Sequence, residues 1–216
     1  MRTIFPALGR QAAEATRRTQ TFAGDSRIYG QGEEGAAWRL VRGTVRLDAV
    51  APGGDRKFAS LAIAGDILGC ETLLFGVYAF AATALTDCEL SPWPEGSRAP
   101  SQESLLASLA QTQRRTAELV ALRGGQAINR VLGLIRLLAE GDGRVILPMR
   151  QEIAEITDLR FETISRIIKQ LERSGILVPA RVPGVHATRA FHYAGQARGE
   201  NPEMTTGTEV PAGCLG

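Results

Sequence analysis

Residues 148–177, PMRQEIAEITDLRFETISRIIKQLERSGIL, carry the side chains best suited to chemistry in this chain. A helix is expected over 161–173, because Ile164, Ile167, Ile168 and Leu171 recur at i, i+3, i+4 and i+7. Its opposite face then presents Glu162, Ser165, Arg166, Lys169 and Arg173. These types match nucleobase edges. A guanidinium such as Arg166 gives two parallel donors to guanine O6 and N7, and a carboxylate such as Glu162 accepts from a cytosine amino group. Neighbouring cations offset phosphate charge. A shorter helix over Gln151–Ile156 places Arg150 and Gln151 at its start, where they can grip phosphates and set register. Thr157-Asp158-Leu159 forms the tight connection between the two, and Asp158 tolerates the left-handed backbone that such turns require. Gly175 suits a left-handed helix end. Two short helices across a tight turn make a helix-turn-helix. Spacing alone leaves equally open an amphipathic hairpin whose polar face meets only water.

The flanking segments must position that helix pair. Ile176 to Arg181, Pro183-Gly184 and Val185 to Arg189 read as a small hairpin. Such a wing would bring Arg181, His186 and Arg189 to a nucleic-acid backbone, which tilts the balance towards DNA. Upstream, Pro92, Pro94 and Pro100 mark a boundary and Ser101 can cap a new helix. Leu105, Leu109, Thr112, Thr116 and Leu119 follow at heptad steps and are read as a dimer seam, ended by Gly124-Gly125. A further helix spans about 126–140, with Ile128, Val131, Leu132, Ile135 and Leu138 on one face. Between Thr21 and Trp93, short apolar segments alternate with glycine turns, as in an antiparallel sandwich or jelly roll. Ala51-Pro-Gly-Gly-Asp55 is a hairpin turn within it. The first twenty residues are expected to form a short helix using Leu8, Ala12 and Ala15.

The chain of 216 residues is 44% hydrophobic and 22% charged with a formal net charge of +2, enough to bury a core of one large or two modest domains. No run is long and apolar enough for a membrane span. The amino terminus lacks the apolar segment and cleavage site of a secretory signal. Cys70, Cys88 and Cys214 are widely spaced and odd in number, which fits a reducing cytoplasm better than a disulfide framework. Both histidines, His186 and His192, fall near the end, so a cupin-type metal enzyme lacks its barrel ligands. No Walker loop or GxSxG elbow occurs, and no enzymatic activity is expected.

Taken over almost its whole length, the chain resembles the CRP/FNR family of bacterial transcription regulators. The likeness is carried by Arg150-Gln-Glu-Ile-Ala, Glu162-Thr-Ile-Ser-Arg and Leu171-Glu-Arg-Ser-Gly-Ile-Leu, together with Gly43-Thr-Val to Gly65-Asp-Ile-Leu-Gly. The resemblance implies an α+β architecture. Residues 1–100 would form a cyclic-nucleotide-binding-like β-barrel (jelly roll), 101–124 a dimerisation helix, 125–194 a winged helix-turn-helix, and 195–216 a disordered tail. It also implies a homodimer on double-stranded DNA, an activator's partnership with RNA polymerase, and no membrane. Glu162 to Arg166 is similar to the FNR-type recognition helix, so Glu162, Ser165 and Arg166 would read bases in half-sites close to TTGAT. Backbone contacts would fall to Arg150, Gln151, Arg160, Thr163, Lys169, Arg181 and Arg189. Arg160 stands where that pattern usually has threonine, and Asp158 replaces its usual turn glycine.

The sensor side of the resemblance is incomplete. Cyclic-nucleotide members carry a Gly-Glu pair and an Arg-Ser pair, whereas this chain has Gly69-Cys70-Glu71 and Tyr78-Ala-Phe-Ala-Ala82. No lysine or arginine lies between Lys57 and Arg98, and a buried phosphate without a cation is heavily penalised. Cyclic AMP is therefore not expected. Nor is an FNR-type iron–sulfur cluster, since no cysteine precedes Cys70. Haem would have to use Cys70, Cys88 or a terminal group, as residues 1–185 contain no histidine. Cys70, Glu71 and Phe80 are the candidate effector-pocket residues, with a regulator that needs no ligand as the alternative.

Overall fold

The computed structural model describes residues 18–94, 102–182, 185 and 189–195. The helix expected in the first twenty residues, His186, Cys214, the Leu105 side chain and the tail beyond Gly195 lie outside the described residues.

Eight short strands come first: β1 (Gln20–Phe22), β2 (Arg27–Tyr29), β3 (Trp38–Arg42), β4 (Thr44–Val50), β5 (Arg56–Ile63), β6 (Ile67–Leu68), β7 (Ala81–Ala84) and β8 (Cys88–Pro92). A single helical turn, α1 (Thr72–Phe75), interrupts them before β7. The strands form two four-stranded sheets, ordered β1-β8-β3-β6 and β2-β7-β4-β5. Every pairing within them is antiparallel. Tyr29, Trp38, Leu40, Val45, Leu68, Tyr78 and Leu90 fill the space between the sheets. The β4–β5 hairpin closes where the sequence places its turn. Ala51 N–H donates to Asp55 O at 2.9 Å and Gly54 N–H to Ala51 O at 2.8 Å. Gly54 sits at φ 89°, which glycine adopts at no steric cost.

Helix α2 (Gln102–Ala121) crosses from this sandwich to the carboxyl-terminal half. Its inner face is anchored by charge. Arg115, buried, places Nε 3.3 Å from Asp66 Oδ2, and Gln111 donates to Asp66 Oδ1 at 2.9 Å. Asp66 also accepts the Ile63 N–H, so the β5–β6 turn and the helix share one carboxylate. One residue of the expected dimer seam, Leu119, faces inward. Leu119 is only 6% exposed and packs into the chain's own core, because Arg115, Leu119 and Leu122 recur at helical spacing on the inner face. Leu109, Thr112 and Thr116 are exposed, and the two hydroxyls bond back to Ser108 O and Thr112 O. The outer apolar stripe is Leu106, Leu109 and Val120, exposed by 65%, 58% and 65%. Leu106, Leu109, Thr116 and Val120 share a heptad register, so the stripe persists with one face shifted.

The carboxyl-terminal half contains α3 (Ala127–Leu138), β9 (Arg144–Ile146), α4 (Arg150–Thr157), α5 (Phe161–Arg173), β10 (Leu177–Pro179) and β11 (Ala190–Tyr193). The strands pair antiparallel in the order β10-β11-β9. A second core runs through Val131, Leu134, Ile135, Ile153, Ile156, Ile164, Leu171 and Phe191. It also takes in Leu61 and Leu85 of the sandwich, so the two halves meet through continuous apolar packing. None of the described helices is long and apolar enough to cross a membrane.

Candidate nucleic-acid interface

The geometry of α4 and α5 follows from three local devices. At the start of α4, the Glu152 carboxylate accepts the Met149 N–H at 2.8 Å, satisfying one of the helix's unpaired donors. Burial raises Glu152 above the ordinary carboxylate range, and that backbone donor holds it partly back. At the other end, Asp158 adopts φ 53°, ψ 48° and its N–H reaches Ala154 O. That left-handed residue turns the chain sharply into α5. α5 then ends as its sequence implies. Gly175 lies at φ 72°, with its N–H on Glu172 O, while Ile176 N–H closes onto Leu171 O at 3.0 Å.

Between those ends α5 is two-faced. Ile164, Ile167, Ile168 and Leu171 are buried, fixing the rotation of the helix about its axis. The same rotation leaves Glu162, Arg166, Lys169 and Arg173 exposed, with Thr163 and Ser165 half-buried beside them. Arg166, Lys169, Gln170, Arg173 and Ser174 line an open concavity of about 670 Å³. A carboxylate, a hydroxyl and a guanidinium therefore share one outward ridge, continued by two more cations. Such a ridge can pair with base edges and neutralise phosphates.

Gln151, Arg160 and Arg181 are exposed, while Arg150 is half-buried at the start of α4, where burial lowers its guanidinium from its ordinary value. Arg189, expected on the DNA backbone, is bonded within the chain. Its Nε donates to Leu147 O at 2.8 Å and its Nη2 to Leu85 O at 2.9 Å, tying the β11 end to the sandwich. His192 bonds through Nε2 to Asp142 O at 2.9 Å.

The expected effector residues lie apart from this surface. Glu71 accepts the Ala79 N–H at 3.1 Å, Cys70 is half-buried, and Phe80 is partly exposed. Burial, followed by the Glu71 charge, raises the Cys70 thiol above its ordinary value. Tyr78 occupies the interior beside them. Its ring stacks on Tyr29 with centroids 3.6 Å apart and planes 7° from parallel. Its hydroxyl donates to Ala36 O at 2.8 Å and accepts from Trp38 Nε1 at 3.3 Å. Gly35 and Gly69 make room for the ring, since a Cβ at either would fall within 2.5 Å of it. Burial, reinforced by Glu71, pushes the Tyr29 hydroxyl far above its usual value.

Comparison with known proteins finds relatives over most of the chain. No family profile matches the chain. It is 30% identical over 185 residues to the nitrogen fixation regulation protein FixK of Azorhizobium caulinodans, covering 77% of this chain and 74% of that protein. Among solved structures, FixK2 from Bradyrhizobium japonicum superposes with a TM-score of 0.62 at 25% identity, covering 84% of this chain and 94% of that one. A transcriptional regulator of the CRP family from Thermus thermophilus gives 0.60 at 27% identity, covering 82% and 93%.

Proposed function

Because this chain belongs to the CRP/FNR family of transcription regulators, we propose that it is a homodimeric activator reading a TTGAT-like palindrome through Glu162, Ser165 and Arg166. The sandwich would serve as the cyclic-nucleotide-binding-like barrel, α2 as the dimerisation helix, and 125–194 as the winged helix-turn-helix. The observation that carries the reading is the outward ridge on α5, held at fixed rotation by four buried apolar side chains. In the major groove, Arg166 would take guanine O6 and N7, Glu162 a cytosine amino group, and Lys169 and Arg173 the flanking phosphates. The exposed stripe of Leu106, Leu109 and Val120 supports pairing of two α2 helices. Activation implies contact with RNA polymerase.

Mobility shift on a TTGAT palindrome and on a scrambled duplex of equal composition tests the reading. Preferential retardation of the palindrome, lost in the isolated-half-site control at the same protein concentration, is expected. Equal affinity for both duplexes would overturn it.

A regulator that needs no small-molecule effector is the second reading, and Tyr78 favours it. The interior of the sandwich holds its own stacked tyrosines, Tyr29 and Tyr78, and the Tyr78 hydroxyl is already bonded to Ala36 O and Trp38 Nε1. Neither cyclic AMP nor an FNR-type iron–sulfur cluster enters this reading. Native mass spectrometry of the purified dimer should give the mass of two chains alone; a stoichiometric metabolite or haem would refute ligand independence.

A further inference from the structure

Three arginines from three different elements converge on the carboxyl-terminal end of α4. Helix ends leave carbonyls without intrahelical partners and attract cations. Arg123, just beyond α2, donates to Glu155 O at 3.5 Å and Ile156 O at 3.4 Å. Arg130 of α3 donates to Thr157 O at 3.3 Å. The third, Arg46 of β4, belongs to the sandwich and takes the side chain instead, with Nη2 2.6 Å from Glu155 Oε2. Arg46 is held on its own side as well. Its side chain is 11% exposed, its Nε lies 2.7 Å from Asp48 Oδ1, and its guanidinium sits 5.7 Å from the Phe58 ring centre. Arg123 lies 5.8 Å from the same ring. One aromatic side chain thus sits beneath both cations.

We propose that Arg46 and Glu155 are positioning residues for DNA binding: their ion pair across the seam between the sandwich and α4 sets the direction in which the α5 ridge leaves the protomer. This rests on the DNA-reading function proposed above. Apolar packing around Leu61 and Leu85 is non-directional and tolerates sliding, so direction comes from two polar ties, Arg189 to Leu85 O at the β11 end and Arg46 to Glu155 at α4. A guanidinium whose plane is fixed by one carboxylate and whose remaining nitrogen grips another is directional. On a palindrome the two ridges must enter major-groove faces about 34 Å apart. An angular error in each protomer then appears twice, as a change in the half-site spacing that the dimer accepts. Spacing selectivity is accordingly the quantity that the pair controls.

The experiment measures affinity of the full-length dimer for TTGAT-like palindromes whose spacers are lengthened or shortened one base pair at a time. Wild type, Arg46→Gln, Glu155→Gln and the double variant are compared. Arg46→Gln leaves Asp48 a cation, since Arg56 Nε lies 3.4 Å from it, and Glu155 is 40% exposed, so its variant decides the matter if the first folds poorly. Wild type should prefer its best spacing by about tenfold over its neighbours, and each single variant should cut that preference about threefold or more, with isolated half-site affinity unchanged. The double variant should match the worse single, because both break one pair. A spacing profile identical to wild type in Glu155→Gln overturns the proposal. Failure of wild type to bind any TTGAT palindrome overturns the functional reading instead.

Discussion

Tyr78 in the sandwich and Arg166 on α5 sit at the centres of two surfaces built on opposite lines. Around Tyr78 every polar group is answered from within: its hydroxyl has a donor and an acceptor, and its ring has Tyr29 and two glycines. Around Arg166 the apolar half of the helix is answered from within, and the polar half faces solvent. A filled interior is a stability device, because a closed core changes free energy only through folding. An open ridge is a recognition device, because its donors find their partners elsewhere. The two should therefore respond differently to substitution.

Tyr78→Ala gives the largest effect on the closed side. Deleting a ring from a packed core should lower unfolding stability by about 3–5 kcal/mol, read by denaturant titration. DNA affinity of the fraction that remains folded should stay unchanged; a specific loss of DNA binding at full folding would erase the contrast. Next comes Asp66→Ala, which among the described residues leaves the buried Arg115 with Glu118 at 2.6 Å. Removing one partner of a buried ion pair should cost about 3 kcal/mol. If stability holds, the anchoring of α2 through that carboxylate is wrong.

A smaller, opposite change is expected at the turn. Asp158→Gly relieves a left-handed conformation and should raise stability by about 0.5–1 kcal/mol, provided its side chain adds nothing else. Destabilisation would show that the carboxylate itself matters there. The smallest test is chemical. Burial pushes the Cys88 thiol up to about 11, so little thiolate exists near neutrality. In a Cys214→Ser background, alkylation at Cys88 should be slow at pH 8 and accelerate as pH rises towards 11. Rapid labelling at pH 8 would mean that the interior opens readily.

How far the sequence could be read follows the same division. The α5 ridge and its turn were legible because a short amphipathic helix bounded by Asp158 and Gly175 carries its whole signal within a few turns. The α2 seam was legible only in part. Leu119 and Val120 are adjacent and both apolar, and periodicity cannot tell which of them faces the chain's own core. Arg189 looked like a free cation in a hairpin, since nothing local reveals that Leu85 O lies 104 residues away. The Tyr29–Tyr78 stack and the Arg46–Glu155 pair were not legible at all. Both join residues distant along the chain, and the second spans 109 positions without any spacing motif.

In the proposed complex Arg166 takes a guanine of each half-site. A double-mutant cycle tests it most directly, pairing Arg166→Ala with a palindrome whose half-site guanine is replaced, at one fixed salt concentration. Wild-type protein should lose about 10- to 100-fold in affinity on the altered DNA, while Arg166→Ala should bind both duplexes equally weakly. If Arg166→Ala still discriminates between the two as sharply as wild type, the assignment of that contact is contradicted.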